Sequence, residues 1–224
     1  MLSKLIILTA ALLLLAACKP VTRPPDTLPA PPPGEEAGSD LPPAVEYNLG
    51  DAIVIQERFP SDSRFREMPV RLNGMIAVPQ GDGGPYPVVL ILHGTHPGCP
   101  SQGEVDTWPC APEEEQANYR GFGYLASALA AEGYVALAIN INAENTFGFG
   151  EPVPFERLSQ LVDLHMEALA AASAGGENNF GVELAGRADV GRLVLMGHSR
   201  GGEAAAALAN NSELATGAEG GVYG

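Results

Sequence analysis

The chain has 224 residues, room for one ordinary domain plus extensions. Its formal charge is −15, from 27 acidic against 12 basic residues, and it has no basic patch that could track a phosphate backbone, so nucleic acid is excluded as a partner. An acidic surface promotes solubility and says little about a small-molecule substrate.

The N-terminus reads as a processing signal. Lys4 supplies a short positive region, and Leu5 to Ala17 form an apolar run of 13 residues, too short to span a bilayer comfortably. Leu15-Ala16-Ala17-Cys18 resembles a bacterial lipobox. That resemblance implies a lipoprotein signal peptide over 1–17, lipidation of Cys18 and a membrane anchor. A plain secretory signal cleaved nearby is the alternative. Lys19, where Asp would signal inner-membrane retention, favours the outer membrane or cell surface, so the expected location is extracytoplasmic and lipid-anchored. Residues 18–45 then read as a linker: nine of the 20 prolines lie between Pro20 and Pro43, which favours extended polyproline geometry. A motif for a proline-binding partner is the other reading. Residues 46–224 are expected to form the folded part.

Ala52–Phe59 and Val70–Val78 read as strands, with Asn73-Gly74 either a hairpin turn or a bulge. Gly81–Pro85 is a loop. Val88–Leu92 is apolar on both faces, the pattern of a central parallel strand, and ends at His93-Gly94. Cys99 and Cys110 sit in the loop region that follows. Outside the cytoplasm they can form a disulfide around Trp108, with two free thiols as the alternative. Phe122–Ala131 predicts a helix capped by Gly133, and Tyr134–Ile139 another buried strand. A helix over Phe155–Ser173 follows, with Leu158, Leu161, Val162 and Leu169 at helical spacing. Leu193–Met196 predicts a third buried strand and Glu203–Leu208 the start of a helix. This alternation predicts an α/β fold with a mostly parallel sheet and helices on both faces. The four histidines are not spaced with cysteines or carboxylates as ligand sets, so no metal is expected.

Gly197-His198-Ser199-Arg200-Gly201-Gly202 lies between a buried strand and a helix. This is a G-x-S-x-G pattern in the context that gives it meaning: a tight strand–serine–helix turn exposes the hydroxyl at the strand's C-terminal end. The helix N-terminus there stabilises developing negative charge. Small residues allowing tight packing, or a phosphate loop, are the competing readings, but the G-x-G-x-x-G spacing and the Gly-Lys-Ser/Thr ending are both lacking. His93-Gly94-Thr95-His96 follows an earlier buried strand, with His93 expected to bond to nearby backbone.

With Val70–Gly94 and Asp189–Gly202, the chain is similar to serine α/β-hydrolases, and Gly-His-Ser-Arg-Gly-Gly resembles chlorophyllase-like, platelet-activating-factor acetylhydrolase-like and dienelactone-hydrolase-like members. The resemblance covers about residues 50–210. It implies Ser199 as nucleophile, backbone N–H groups of Thr95 and Arg200 as the oxyanion hole, a small ester as substrate and no cofactor. The Phe147–Phe155 region, with Phe147, Phe149 and Phe155, is expected either to offer loop surface near the substrate or to be ordinary packing.

Such a site needs a histidine base oriented by an acid, in the order Ser, acid, His. No histidine follows His198, and only 25 residues follow Ser199. His96 could approach the site, whereas His165 lies on the apolar stripe and His198 points away in a normal turn. The expectation is a fragment whose C-terminal strands, acid and base lie beyond Gly224, since Leu193–Met196 would otherwise be an exposed apolar edge. The rival expectations are a non-catalytic surface lipoprotein that uses the scaffold for binding, and a serine peptidase on the same fold.

Overall fold

The computed structural model describes residues 41–63, 65–100, 108–147 and 156–210. The signal peptide, Cys18 and most of the linker lie outside them, as do the side chains of Phe147, Phe149 and Phe155. Among the described residues no helix is long and apolar enough to cross a membrane.

Five strands form one sheet in the order β1-β2-β4-β3-β5. β3 (Tyr86–Leu92), β4 (Val135–Ile139) and β5 (Ala188–Gly197) run parallel, with β3 between the other two. β1 (Val45–Ile55) pairs antiparallel with β2 (Glu67–Ala77), which pairs antiparallel with β4. The sheet is therefore mixed, not mostly parallel as the sequence suggests. Side-chain patterns mark strands but not their direction. Direction follows from the connections: the short link 56–66 returns the chain antiparallel, while the later strands are joined through helices.

β1 begins before the predicted Ala52 because Val45–Asn48 already pair with β2. Asn73-Gly74 is neither turn nor bulge: both residues sit in continuous pairing within β2. Glycine is required at 74 by close approach, since a Cβ there would collide with the Ala138 carbonyl oxygen and lie 2.8 Å from the Tyr47 hydroxyl. The irregularity falls in β1 instead, between Asn48 and Asp51.

The alternating faces of the central strands are covered by different helices. Val88, Leu90, Leu92, Leu137 and Ile139 pack with Leu158, Leu161, Val162 and Leu169 of α3 (Glu156–Ser173) and Ala204 and Leu208 of α4 (Arg200–Ala209). Val89, Ile91, Ala136 and Ala138 pack with Ala126 and Ala130 of α1 (Gly123–Ala131). A further short helix, α2 (Asn142–Phe147), follows β4 directly and was not legible as an amphipathic run. Helices thus lie on both faces, and β3 and β4 are apolar throughout because neither face meets water. The architecture is an α/β fold.

This topology creates a crevice. The chain leaves β3 towards α1 on one face and leaves β5 towards α4 on the other. Adjacent parallel strands whose connections diverge in this way open a cleft at their C-terminal ends, where ligands bind in open α/β sheets.

Candidate active site

Ser199 sits at that cleft, between the end of β5 at Gly197 and the start of α4 at Arg200. Its backbone has φ 55° and ψ −124°, and it alone among the described non-glycine residues has positive φ. A non-glycine residue held there costs roughly 1–3 kcal/mol and persists only when its surroundings impose it. The surroundings here are close-packed backbone. A Cβ on Gly201 would collide with the Leu92 carbonyl oxygen and lie 2.6 Å from that of His93. A Cβ on Gly197 would collide with Gly201 and lie 2.5 Å from the Gly202 nitrogen. Glycine at these two positions lets α4 start against the end of β3. Gly202 is less demanding: a Cβ there would meet the Gly197 carbonyl oxygen at 3.4 Å, ordinary contact.

The turn leaves His198, Ser199 and Arg200 exposed. Asp189 to Arg192 forms an irregular step in the β3–β5 pairing, tied down by Arg192, which donates to Asp189 Oδ2 at 2.7 Å and to the Pro85 carbonyl at 2.8 Å.

The loop after β3 packs directly on the serine. A Cβ placed on Gly94 would lie 3.1 Å from Ser199 Cβ. Thr95, the next residue, is exposed, and its hydroxyl donates to Asn145 Oδ1 at 3.3 Å while Asn145 Nδ2 donates to the Gly94 carbonyl at 3.4 Å. The structure thus brings the Gly94-Thr95 segment to the Ser199-Arg200 segment.

His93 holds this loop in place. It is fully buried, and its Nε2 accepts the Ile141 N–H at 3.0 Å, so Nε2 carries no proton. Nδ1–H donates to the Gly94 carbonyl at 2.8 Å. Burial lowers its pKa from the ordinary 6.5 to about 4, with the Gly94 carbonyl pulling weakly the other way. A neutral imidazole therefore joins β3, the serine-facing loop and the end of β4.

The other histidines are placed elsewhere. His165 is buried on α3, 3.0 Å from the Tyr47 hydroxyl through Nδ1, and burial lowers its pKa to about 3. His96 and His198 are exposed, and the His198 ring lies 6.4 Å from that of Phe122. Among the described residues no histidine is hydrogen-bonded to the Ser199 hydroxyl, and no group of three or more His, Cys, Asp or Glu could hold a metal ion.

A polar network missed in the sequence supports the loop wall. Glu115 Oε1 accepts from Asn140 at 2.7 Å and Asn142 at 2.9 Å, and its Oε2 pairs with Arg71 at 2.5 Å. Asn118 donates to Asn142 Oδ1 at 2.8 Å. The only sequence cue was Asn140-Ile141-Asn142, polar residues placed directly after a buried strand. Cys99 and Cys110 are joined by a disulfide with Cα atoms 5.7 Å apart, and Trp108 Nε1 donates to the Pro69 carbonyl at 2.8 Å.

No family model matches the chain, and no curated protein matches it. Solved structures do. A glucuronoyl esterase from Solibacter usitatus is 17% identical, with TM-score 0.38, over 82% of this chain and 51% of its own. The dipeptidyl peptidase 4 of Porphyromonas gingivalis is 20% identical, with TM-score 0.30, over 75% of this chain and 20% of its own. A putative acetyl xylan esterase from Bacteroides fragilis is 16% identical, with TM-score 0.29, over 76% of this chain and 46% of its own. The chain spans about half the length of the two esterases and a fifth of the peptidase.

Proposed function

We propose that this chain carries the nucleophile and oxyanion side of a serine hydrolase that cleaves carboxylic esters, in a protein lipid-anchored at Cys18 outside the cytoplasm. The observation that carries the reading is the strained backbone of Ser199, held between a sheet strand and a helix N-terminus at the crevice. The tight packing that imposes this strain also leaves Ser199 exposed at the crevice, where its hydroxyl can meet a ligand.

In this reading Ser199 Oγ attacks the ester carbonyl carbon and its proton passes to a general base. The carbonyl oxygen becomes an oxyanion held by the Thr95 and Arg200 backbone N–H groups. Each such donor contributes on the order of 3 kcal/mol, aided by the positive end of α4. Collapse of the tetrahedral intermediate breaks the bond to the alcohol, which takes the proton from the base. Water then hydrolyses the acyl-serine by the same steps.

The test is labelling of the full-length gene product with a fluorophosphonate, alongside p-nitrophenyl acetate turnover. Both are expected in the native protein and lost in Ser199→Ala. Labelling that survives Ser199→Ala refutes the assignment. A second reading is a binding scaffold without catalysis, since among the described residues no histidine is bonded to Ser199. An unlabelled, well-folded protein would select it.

A further inference from the structure

A second feature adjoins the serine. His96, Gln116, Asn118, Arg120, Tyr124 and His198 line a cavity of about 750 Å³, within the usual range of about 300–1,000 Å³ for small-molecule sites. It lies beside the crevice, because His198 precedes Ser199 and His96 closely follows Gly94, which packs on Ser199. We propose that this cavity is a sugar-binding subsite, receiving a pyranose ring carried by the ester. The proposal rests on the hydrolase reading for its link to catalysis, but not for binding itself.

The chemistry of the wall points there. Apart from Phe122 and Tyr124, its only apolar side chain is Ala117, so a long acyl chain would find little to pack on. An anionic ligand fits poorly too. The guanidinium of Arg120 is already committed to Glu46, with contacts of 2.9 and 3.0 Å, and the Glu115 carboxylate is committed to Arg71, Asn140 and Asn142. What remains uncommitted is a set of hydrogen-bonding groups: the Gln116 carboxamide, the Asn118 carbonyl oxygen and the imidazoles of His96 and His198. Asn118 is fixed in advance, because its Nδ2 donates to Asn142 Oδ1 at 2.8 Å and to the Pro97 carbonyl at 3.4 Å, leaving Oδ1 as an acceptor. One fixed acceptor beside side chains that can donate suits the hydroxyls of a single ligand.

Tyr124 supplies the other half. It stands at the start of α1 with 75% of its surface exposed, the most exposed large hydrophobic side chain among the described residues. An aromatic ring on the rim of a polar cavity provides an apolar face for the C–H side of a pyranose, while the walls take its hydroxyls.

Saturation-transfer NMR of the full-length gene product with cellobiose tests binding without relying on turnover. Saturation should reach the sugar protons. Tyr124→Ala should weaken binding about tenfold and Tyr124→Trp should restore it, with melting temperature confirming the fold. Cellobiose that receives no saturation, or binding unmoved by Tyr124→Ala, overturns the proposal even if p-nitrophenyl acetate is hydrolysed. Tyr124-dependent binding without Ser199-dependent turnover upholds the subsite and refutes the hydrolase reading instead. Kinetics with an O-acetylated cellobiose and with a hexuronic acid methyl ester tell whether the ring is carried on the alcohol or the acyl side. Tyr124→Ala should raise KM for whichever ester is the substrate.

Discussion

Replacing Ser199 by glycine should stabilise the fold while abolishing the proposed ester hydrolysis. The residue sits at φ 55° and ψ −124°, where a Cβ costs roughly 1–3 kcal/mol. Glycine releases that strain but adds about 0.5–1 kcal/mol of unfolded-state entropy. Ser199→Ala is the proper reference, because it removes the hydroxyl and keeps the Cβ. The hydroxyl accepts and donates nothing within the described residues, so alanine should match serine in stability. The glycine variant should exceed both by about 1–2 kcal/mol, or roughly 3–6 °C in melting temperature for a folded unit of this size. Thermal unfolding of the three proteins, followed by circular dichroism, reads the order directly. A glycine variant no more stable than the alanine variant would show that position 199 is unstrained and would remove the main support for its assignment.

Three further outcomes are expected. Gly201→Ala drives a Cβ into the Leu92 and His93 carbonyl oxygens, which are backbone and cannot rotate away, so urea denaturation should show a loss of about 3 kcal/mol. His93 and His165 titrate near 4 and 3 when folded and near 6.5 when unfolded, so the unfolded chain takes up protons first. Their contribution is complete above pH 6.5 and is lost as pH falls towards 4. Between pH 7.5 and 5 the pair removes on the order of 4 kcal/mol, and His165→Phe should make that slope shallower. A melting temperature unchanged over this range refutes the buried-neutral assignment. Replacing Cys99 and Cys110 together by serine opens a loop with a sequence separation of 11 and should cost about 3 kcal/mol in urea.

The parts of the fold legible in the sequence are those where burial imposes a pattern. Val88–Leu92 and Val135–Ile139 are apolar throughout because helices cover both faces, and Leu158, Leu161, Val162 and Leu169 keep the helical period because one side of α3 is buried. Sheet direction was not legible, since Val70–Ala77 looks the same whether its neighbour runs with it or against it. The serine turn was legible because its glycines answer to backbone collisions that are local in sequence. The Glu115–Asn140–Asn142 network was not, because its members belong to two chain segments that meet only in the folded sheet.

The sheet order also explains why two such distant segments meet. β3 and β5 are neighbours in the sheet, so the loop at Gly94 and the turn at Ser199 meet although about a hundred residues separate them. Adjacency alone would leave that loop free to move, because Thr95 is exposed. His93 and Asn145 restrict it: the neutral His93 ring accepts the Ile141 N–H and donates to the Gly94 carbonyl, and Asn145 donates to the same carbonyl and accepts from the Thr95 hydroxyl, so the loop is tied to the segment after β4 as well as to β3. Donors aimed at a developing charge are effective only when they need not reorganise as it forms. In the proposed reaction a buried histidine kept neutral by its surroundings would meet that requirement down to about pH 4, and protonation there would take the Ile141 N–H from it and loosen the loop.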